Sequence, residues 1–262
     1  MLNYKSLLSR AICRTPFQYW PVYVRTGLAR GARWTLFPHS ANWRLGGERD
    51  VETAVRLHGD LTGETCWDLG AHFGIHTVGL AKCVGPLGQV CAFEPDPVAY
   101  HRLERHVNMN SLQRVKCFNR AVSDQDGQSD MIISGELGST FTHLQYSDEP
   151  VNADTPVINI VTQKLDTLVA SGEIRAPDFI KVDVQGHGAN ALRGAIVSLT
   201  AKRPTIVFSS HSPDELRGVK ALVSKLGYWC YDCDGNRCEW PTDCSANLIL
   251  IARSSPDQIQ PL

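Results

Sequence analysis

Four short stretches carry the residues whose types and spacing suit chemistry. The first, Asp68-Leu69-Gly70-Ala71-His72-Phe73-Gly74, leads from an apolar run into a helical one. Its glycines let the backbone bend tightly and approach a ligand closely. The second, Phe93-Glu94-Pro95-Asp96, closes the next apolar run. An acid at such a strand end is placed to accept hydrogen bonds from both hydroxyls of a ribose. The glycines are spaced G-x-x-x-G, not the G-x-G-x-x-G of dinucleotide sites, so the joint pattern points to another nucleoside-type cofactor. The third stretch is Lys181-Val182-Asp183-Val184-Gln185-Gly186-His187-Gly188, and the fourth is Phe208-Ser209-Ser210-His211. Asp183 is a carboxylate at a strand end. His211 is a candidate general base, because imidazole titrates near neutral pH. His187 is a second candidate, and Gln185 could orient a hydroxyl by hydrogen bonding.

Each of these residues also has a plainer use. Asp68 could cap a turn. Glu94 could be a solvated strand-end acid. Asp96 precedes Pro97, the pairing expected at a helix start. His76 falls on a helix face. Either His187 or His211 could serve only as a structural hydrogen-bonding group.

The surrounding pattern must hold these stretches in place. Strand-like and helix-like runs alternate from residue 51 onward. TCWDLGA, QVCAFEP, RVKCFNRAVS, DFIKVDV and RPTIVFSSHS read as five core strands. VETAVRLH, IHTVGLAKCVG, PVAYHRLERHVNMN, ANALRGAIVSLTAK and SPDELRGVKALVSKLGY read as helices. The last of these has Ser212 as cap, Pro213 at its first position and Glu215 three after the cap. QSDMIIS and VINIVTQ add strands, and YWCYDCD with NLILIARS form a terminal antiparallel pair. The sum is a three-layer, doubly wound α/β sandwich with right-handed crossovers. Residues 134–156 are polar and rich in turn formers, and read as a lid loop. Residues 1–50 read as a mostly helical N-terminal extension or cap, with an amphipathic piece at 2–13. Residues 51–262 read as the main domain.

Composition narrows the function. The chain has 262 residues, 43% of them hydrophobic and 20% charged. No apolar run reaches the length of a membrane span, and the N-terminal apolar run is broken by Ser9, Arg10 and Arg14, unlike a signal peptide. The net charge of −1 is uneven: residues 1–50 hold eight Lys/Arg, two acids and eight aromatics. An overall pI of about 6.7 and no recognised RNA-binding module argue against a nucleic-acid partner. Nine scattered cysteines do not form a secreted disulfide framework and suit a reducing, cytoplasmic compartment. Cys230, Cys233, Cys238 and Cys244 match no standard zinc spacing, although a zinc site stays open. The oligomeric state is open too, a homodimer included.

DLGAHFGIHT, AFEPD, NRAVSDQDG, KLDTL and IKVDVQG with LRGA resemble the FkbM-type methyltransferases, in order and spacing, over residues 46–252. The resemblance implies a Rossmann-like methyltransferase fold with a seven-stranded, mostly parallel sheet and a C-terminal antiparallel strand. It implies S-adenosyl-L-methionine as cofactor. Asp68, Gly70, Ala71, His72, Phe73, Gly74 and Thr77 would then form the methionine cradle, and Glu94, Pro95 and Asp96 the ribose edge. Ala121 and Val122 would face the adenine, and Asp183 the transferred methyl. Glu48 stands as the acid of the family's lead-in. This chain departs from the family at Gln185, Gly188 and Ser209, where acids are usual. Loss of those oxygen ligands leads us to expect transfer without a metal. The expected reaction is O-methylation of a sugar, glycan, glycolipid or secondary-metabolite hydroxyl. An N-methyltransferase or an inactive cofactor-binding scaffold remains the alternative.

Overall fold

The structure is a computed structural model that describes residues 19–36, 49–133, 143–144, 156–241 and 247–252. Its centre is a seven-stranded sheet built from β3 (Thr65–Leu69), β4 (Gln89–Phe93), β5 (Val115–Phe118), β10 (Phe179–Val182), β11 (Thr205–Ser209), β12 (Tyr228–Tyr231) and β13 (Asn247–Ala252). The spatial order is β12-β13-β11-β10-β3-β4-β5. β13 is antiparallel to both neighbours, while the pairs among β11, β10, β3, β4 and β5 are all parallel. The chain steps outward in one direction from β3 and in the other from β10. The order therefore reverses between these strands, and the crevice for a ligand opens at their carboxyl ends.

Alternation sorts the strand residues onto two faces. Cys66, Val90, Phe179, Val207 and Ile249 pack under α1 (Arg49–His58) and α2 (Ile75–Val84). Trp67, Leu69, Phe93, Ile180, Val182, Phe208 and Leu250 pack on the other face. There they meet α4 (Leu165–Ala170), α5 (Gly188–Arg193), α6 (Ile196–Lys202) and α7 (Pro213–Lys225). Helix α3 (Pro97–Met109) rests Leu103 and Val107 on Ala71 and Ala92. Local signals set two helix starts as expected. Asp96 Oδ1 accepts from the amides of Val98 and Ala99 before Pro97, and Ser212 Oγ accepts from Glu215 N.

Four expectations need correction. First, residues 19–36 are not helical but form a hairpin of β1 (Pro21–Tyr23) and β2 (Arg33–Thr35). Its Trp34 is buried and stacks on His106 with ring centroids 3.5 Å apart. Second, α1 starts at Arg49, so the boundary at residue 50 falls inside a helix. Third, the RVKCFNRAVS run splits after Phe118. Its β6 (Ala121–Val122) joins β7 (Gly127–Ile132), β8 (His143–Leu144) and β9 (Val157–Gln163) in a separate four-stranded sheet. Fourth, ANALRGAIVSLTAK is two helices. A Cβ on Gly194 would sit 1.9 Å from the Ser123 carbonyl oxygen, and Asp166 caps the second helix through Val197 N and Ser198 N. The 2–13 piece, Glu48 and the lid loop apart from His143–Leu144 and Pro156 lie outside the described residues.

Candidate active site at the switch point

The turn after β3 and the turn after β10 meet at the reversal. Asp183 N donates to Leu69 O at 3.0 Å. A Cβ on Gly70 would lie 1.8 Å from Asp183 O, and Gly70 has φ +76°. Only glycine permits both the left-handed backbone and this approach. The amides of Gly70 and Ala71 both donate to Phe93 O, which ties the turn to β4. His72 follows with φ +49° and its amide donates to Glu94 Oε2 at 2.7 Å. Glu94 Oε1 accepts from Asp96 N at 2.9 Å. Burial pushes the Glu94 carboxyl up to about 7, against the lowering pull of those two amides. Each oxygen keeps a second lone pair for another donor. Asn119 Nδ2 fastens the outer side of this turn by donating to the carbonyls of Glu94 and Pro95.

Beneath the Gly70 turn, Asp68 is fully buried. Thr77 Oγ1 donates to its Oδ2 at 2.5 Å, whereas Oδ1 has no hydrogen-bond partner. Lys181, two residues before Asp183 and on the same face, is also buried. Its Nζ donates to Gly70 O at 2.7 Å and lies 3.4 Å from Asp68 Oδ1 and 3.6 Å from Asp183 Oδ2. His76 faces this group. Burial first, then the Lys181 charge, lowers its imidazole to about 4, so it is neutral at pH 7.

Asp183 Oδ1 meets His211 Nε2 at 2.7 Å. Burial alone would raise the Asp183 carboxyl, but the Lys181 ammonium and the His211 bond together hold it well below the usual range. The same bond raises His211 against the opposing effect of burial. Glu215 braces the pair from behind. Its Oε2 accepts from His211 N at 2.8 Å and its Oε1 from Gly188 N at 2.7 Å. A Cβ on Gly188 would approach Glu215 Oε1 to 2.8 Å, so the glycine makes room for this carboxylate.

The structure therefore brings Asp68, Gly70, Thr77, Glu94, Asp183 and His211 around one crevice. Gln185 lies in the adjoining turn with φ +48°. Gly74, at φ +85°, takes the left-handed conformation where α2 begins. Asp96 caps α3, as its plainer reading held. Phe73 is buried in the cluster with Trp34, and its carbonyl is held by His106 Nδ1 at 2.8 Å, so its ring packs away from the crevice. Ala71 packs on Leu103. His187 does not join His211: its Nε2 is 3.1 Å from Ser123 Oγ, and burial lowers it to about 4. Ala121 and Val122 are buried in the small sheet, paired with Thr162 and Gln163. Lys181, Asp50, Glu215 and His106 were missed. Lys181 left one signal, a charge inside an otherwise apolar buried strand. Among the described residues no group of three His, Cys, Asp or Glu side chains is arranged to hold a metal ion. Cys230 and Cys238 have their sulfurs 3.6 Å apart, and Cys244 lies outside the described residues. No described helix is long and apolar enough to cross a membrane.

The residues present fit a nucleoside cofactor with a cationic amino-acid arm. A buried carboxylate oxygen lacks a hydrogen-bond partner under the glycine turn, and Glu94 offers paired acceptors at the next strand end. A seven-stranded sheet with a reversed last strand and a crevice where the strand order turns is the Rossmann-like architecture.

The family model of the methyltransferase FkbM domain matches residues 68–229. The chain belongs to that family. A hexuronic acid methyltransferase of Haloferax volcanii, AglP, is 26% identical over 203 residues, 74% of this chain and 76% of that protein. The 2-O-methyltransferase NoeI of Sinorhizobium fredii is 30% identical over 143 residues, 50% of this chain and 56% of NoeI. A solved FkbM methyltransferase from Methylobacillus flagellatus matches with TM-score 0.49 and 19% identity, over 72% of this chain and 43% of that one.

Proposed function

We propose that this protein transfers the methyl group of S-adenosylmethionine to a hydroxyl of a sugar-bearing acceptor, in the cytoplasm. The observation that carries this reading is the Asp183–His211 pair, 2.7 Å apart and joined to the cofactor turn through Asp183 and Gly70. The relatives' names add a sugar-like acceptor: one acts on a hexuronic acid and the other is a 2-O-methyltransferase.

The cofactor supplies, when bound, a sulfonium-activated methyl open to in-line attack. Glu94 would hold the ribose hydroxyls. Asp68, held by Thr77, would present Oδ1, which pairs with the Lys181 charge at 3.4 Å but makes no hydrogen bond, toward the amino-acid arm. An acceptor hydroxyl is a weak nucleophile until its proton is removed. His211 bonds Asp183 through Nε2, which leaves Nδ1 as the proton acceptor. Asp183 fixes the ring and stabilises the imidazolium that results. Glu215 holds the His211 backbone in place. No described side chain is needed as a metal ligand for these steps.

The test is methyl transfer from S-adenosylmethionine to a panel of glycosides and hexuronates, read as S-adenosylhomocysteine release and product mass. His211→Ala should lower kcat by roughly 10²- to 10⁴-fold while cofactor affinity stays put. Cofactor binding with no turnover of any hydroxyl acceptor by the native protein would sink this reading and favour a scaffold. Methylated nitrogen in the product would turn it toward an N-methyltransferase.

A further inference from the structure

Asp50 is a buried acid that the reaction described above does not use. It is 2% exposed, at the start of α1. Its Oδ1 accepts from Val51 N at 2.7 Å, and its Oδ2 has no hydrogen-bond partner. Burial raises its carboxyl, the Val51 amide and the Lys181 charge oppose this, and the Asp183 charge adds to it. A buried carboxylate oxygen without a donor is costly to keep. The fold retains it where a ligand can supply the donor.

The position of α1 says which ligand. Helix α1 lies over β11 and β13, where Val51 and Ala54 share a cluster with Val207 and Ile249, and at its far end His58 Nδ1 lies 2.8 Å from Thr205 Oγ1 at the start of β11, so Asp50 stands toward the carboxyl end of β11, where the His211 turn begins. The Gly70 turn and Glu94 leave β3 and β4, across Asp183 from these strands. Asp50 therefore flanks the transfer pair on the side opposite the cofactor turn. We propose that Asp50 Oδ2 binds a second, non-reacting hydroxyl of the acceptor, next to the one that His211 deprotonates. Asp50 is thus an acceptor-specificity residue, matched to polyhydroxylated ligands. This rests on the sugar-hydroxyl reading above.

The experiment compares native protein with Asp50→Asn and Asp50→Ala, using glycosides turned over by the native protein and their analogues deoxygenated beside the methylated position. Calorimetry with S-adenosylmethionine checks that each variant is folded and binds cofactor. The expected result is a cofactor Kd within about twofold of native and a fall in kcat/KM of roughly ten- to a hundredfold on the full acceptor. The native protein should lose a similar factor on the deoxy analogue, and Asp50→Ala should no longer distinguish the two acceptors. A tenfold weaker cofactor in both variants would overturn the proposal and assign Asp50 to the cofactor's ammonium group. Unchanged acceptor kinetics, or deoxy discrimination that persists in Asp50→Ala, would also overturn it. Failure of the functional reading is seen separately, as native protein that methylates no hydroxyl acceptor.

Discussion

At the proposed ribose edge, Glu94 would couple cofactor binding to pH. Its carboxyl sits near 7 because burial opposes the charged form, while two backbone amides on one side pull the other way. Raising it from 4.5 to about 7 corresponds to roughly 3 kcal/mol between its protonation states. In the proposed binding mode the ribose hydroxyls donate to the ionised form, so binding would draw the group back toward ionisation. The sign follows: affinity is fully present above pH 7 and is lost as pH falls through that value. With half ionisation near 7, affinity should drop about tenfold from pH 8 to pH 6, and binding at pH 7 should release about half a proton. The cofactor's own amino group titrates near this range. The ligand to use is therefore 5′-methylthioadenosine, which carries the ribose but no amino acid. Calorimetry at pH 6, 7 and 8, in two buffers of different ionisation enthalpy, reads affinity and proton release together. Glu94→Gln should weaken binding by about a hundredfold and remove the pH dependence, because its amide must point a donor at the His72 or Asp96 amide. A flat affinity between pH 6 and 8 with no proton release would refute the reasoning, as would a pH dependence kept by Glu94→Gln.

Three further outcomes follow from the same geometry. Asp183→Asn removes the charge that raises His211, so the acidic limb of the pH–rate profile should move to lower pH while kcat falls; a limb that stays in place would separate His211 from the base role. Lys181→Met leaves Asp68 and Asp183 without their shared buried cation, and denaturant melts should show a loss of about 3–5 kcal/mol. Gly70→Ala places a Cβ against Asp183 O at φ +76°, so a thermal melt should show a loss of at least about 1–3 kcal/mol, with weaker cofactor binding.

Much of the fold was legible because it is written locally. Short, wholly buried strands such as IKV and TIVF, the Asp96-Pro97 and Ser212-Pro213 helix starts and the strand-end glycines all act within a few residues. The site was legible in part, through Asp68, Gly70, Glu94, Asp183 and His211, which fall at strand ends in order. The N-terminal hairpin was not, because Pro21, Gly27 and Gly31 suit breaks in several structures. Burial of Trp34 against His106, more than seventy residues away, selects the hairpin.

The sequence by itself determined the class of sheet, the cofactor edge and the two polar turns that flank the crevice, because strand period, turn chemistry and helix caps are short-range effects. Only the tertiary structure decided which polar groups act together. His187 and His211 are alike as residues, yet one is turned to Ser123 and the other to Asp183. Lys181 and Glu215 come from separate elements and meet Asp183 and His211 where the sheet order reverses. Charge coupling depends on distance and burial across the fold, and neither quantity is carried by spacing along the chain.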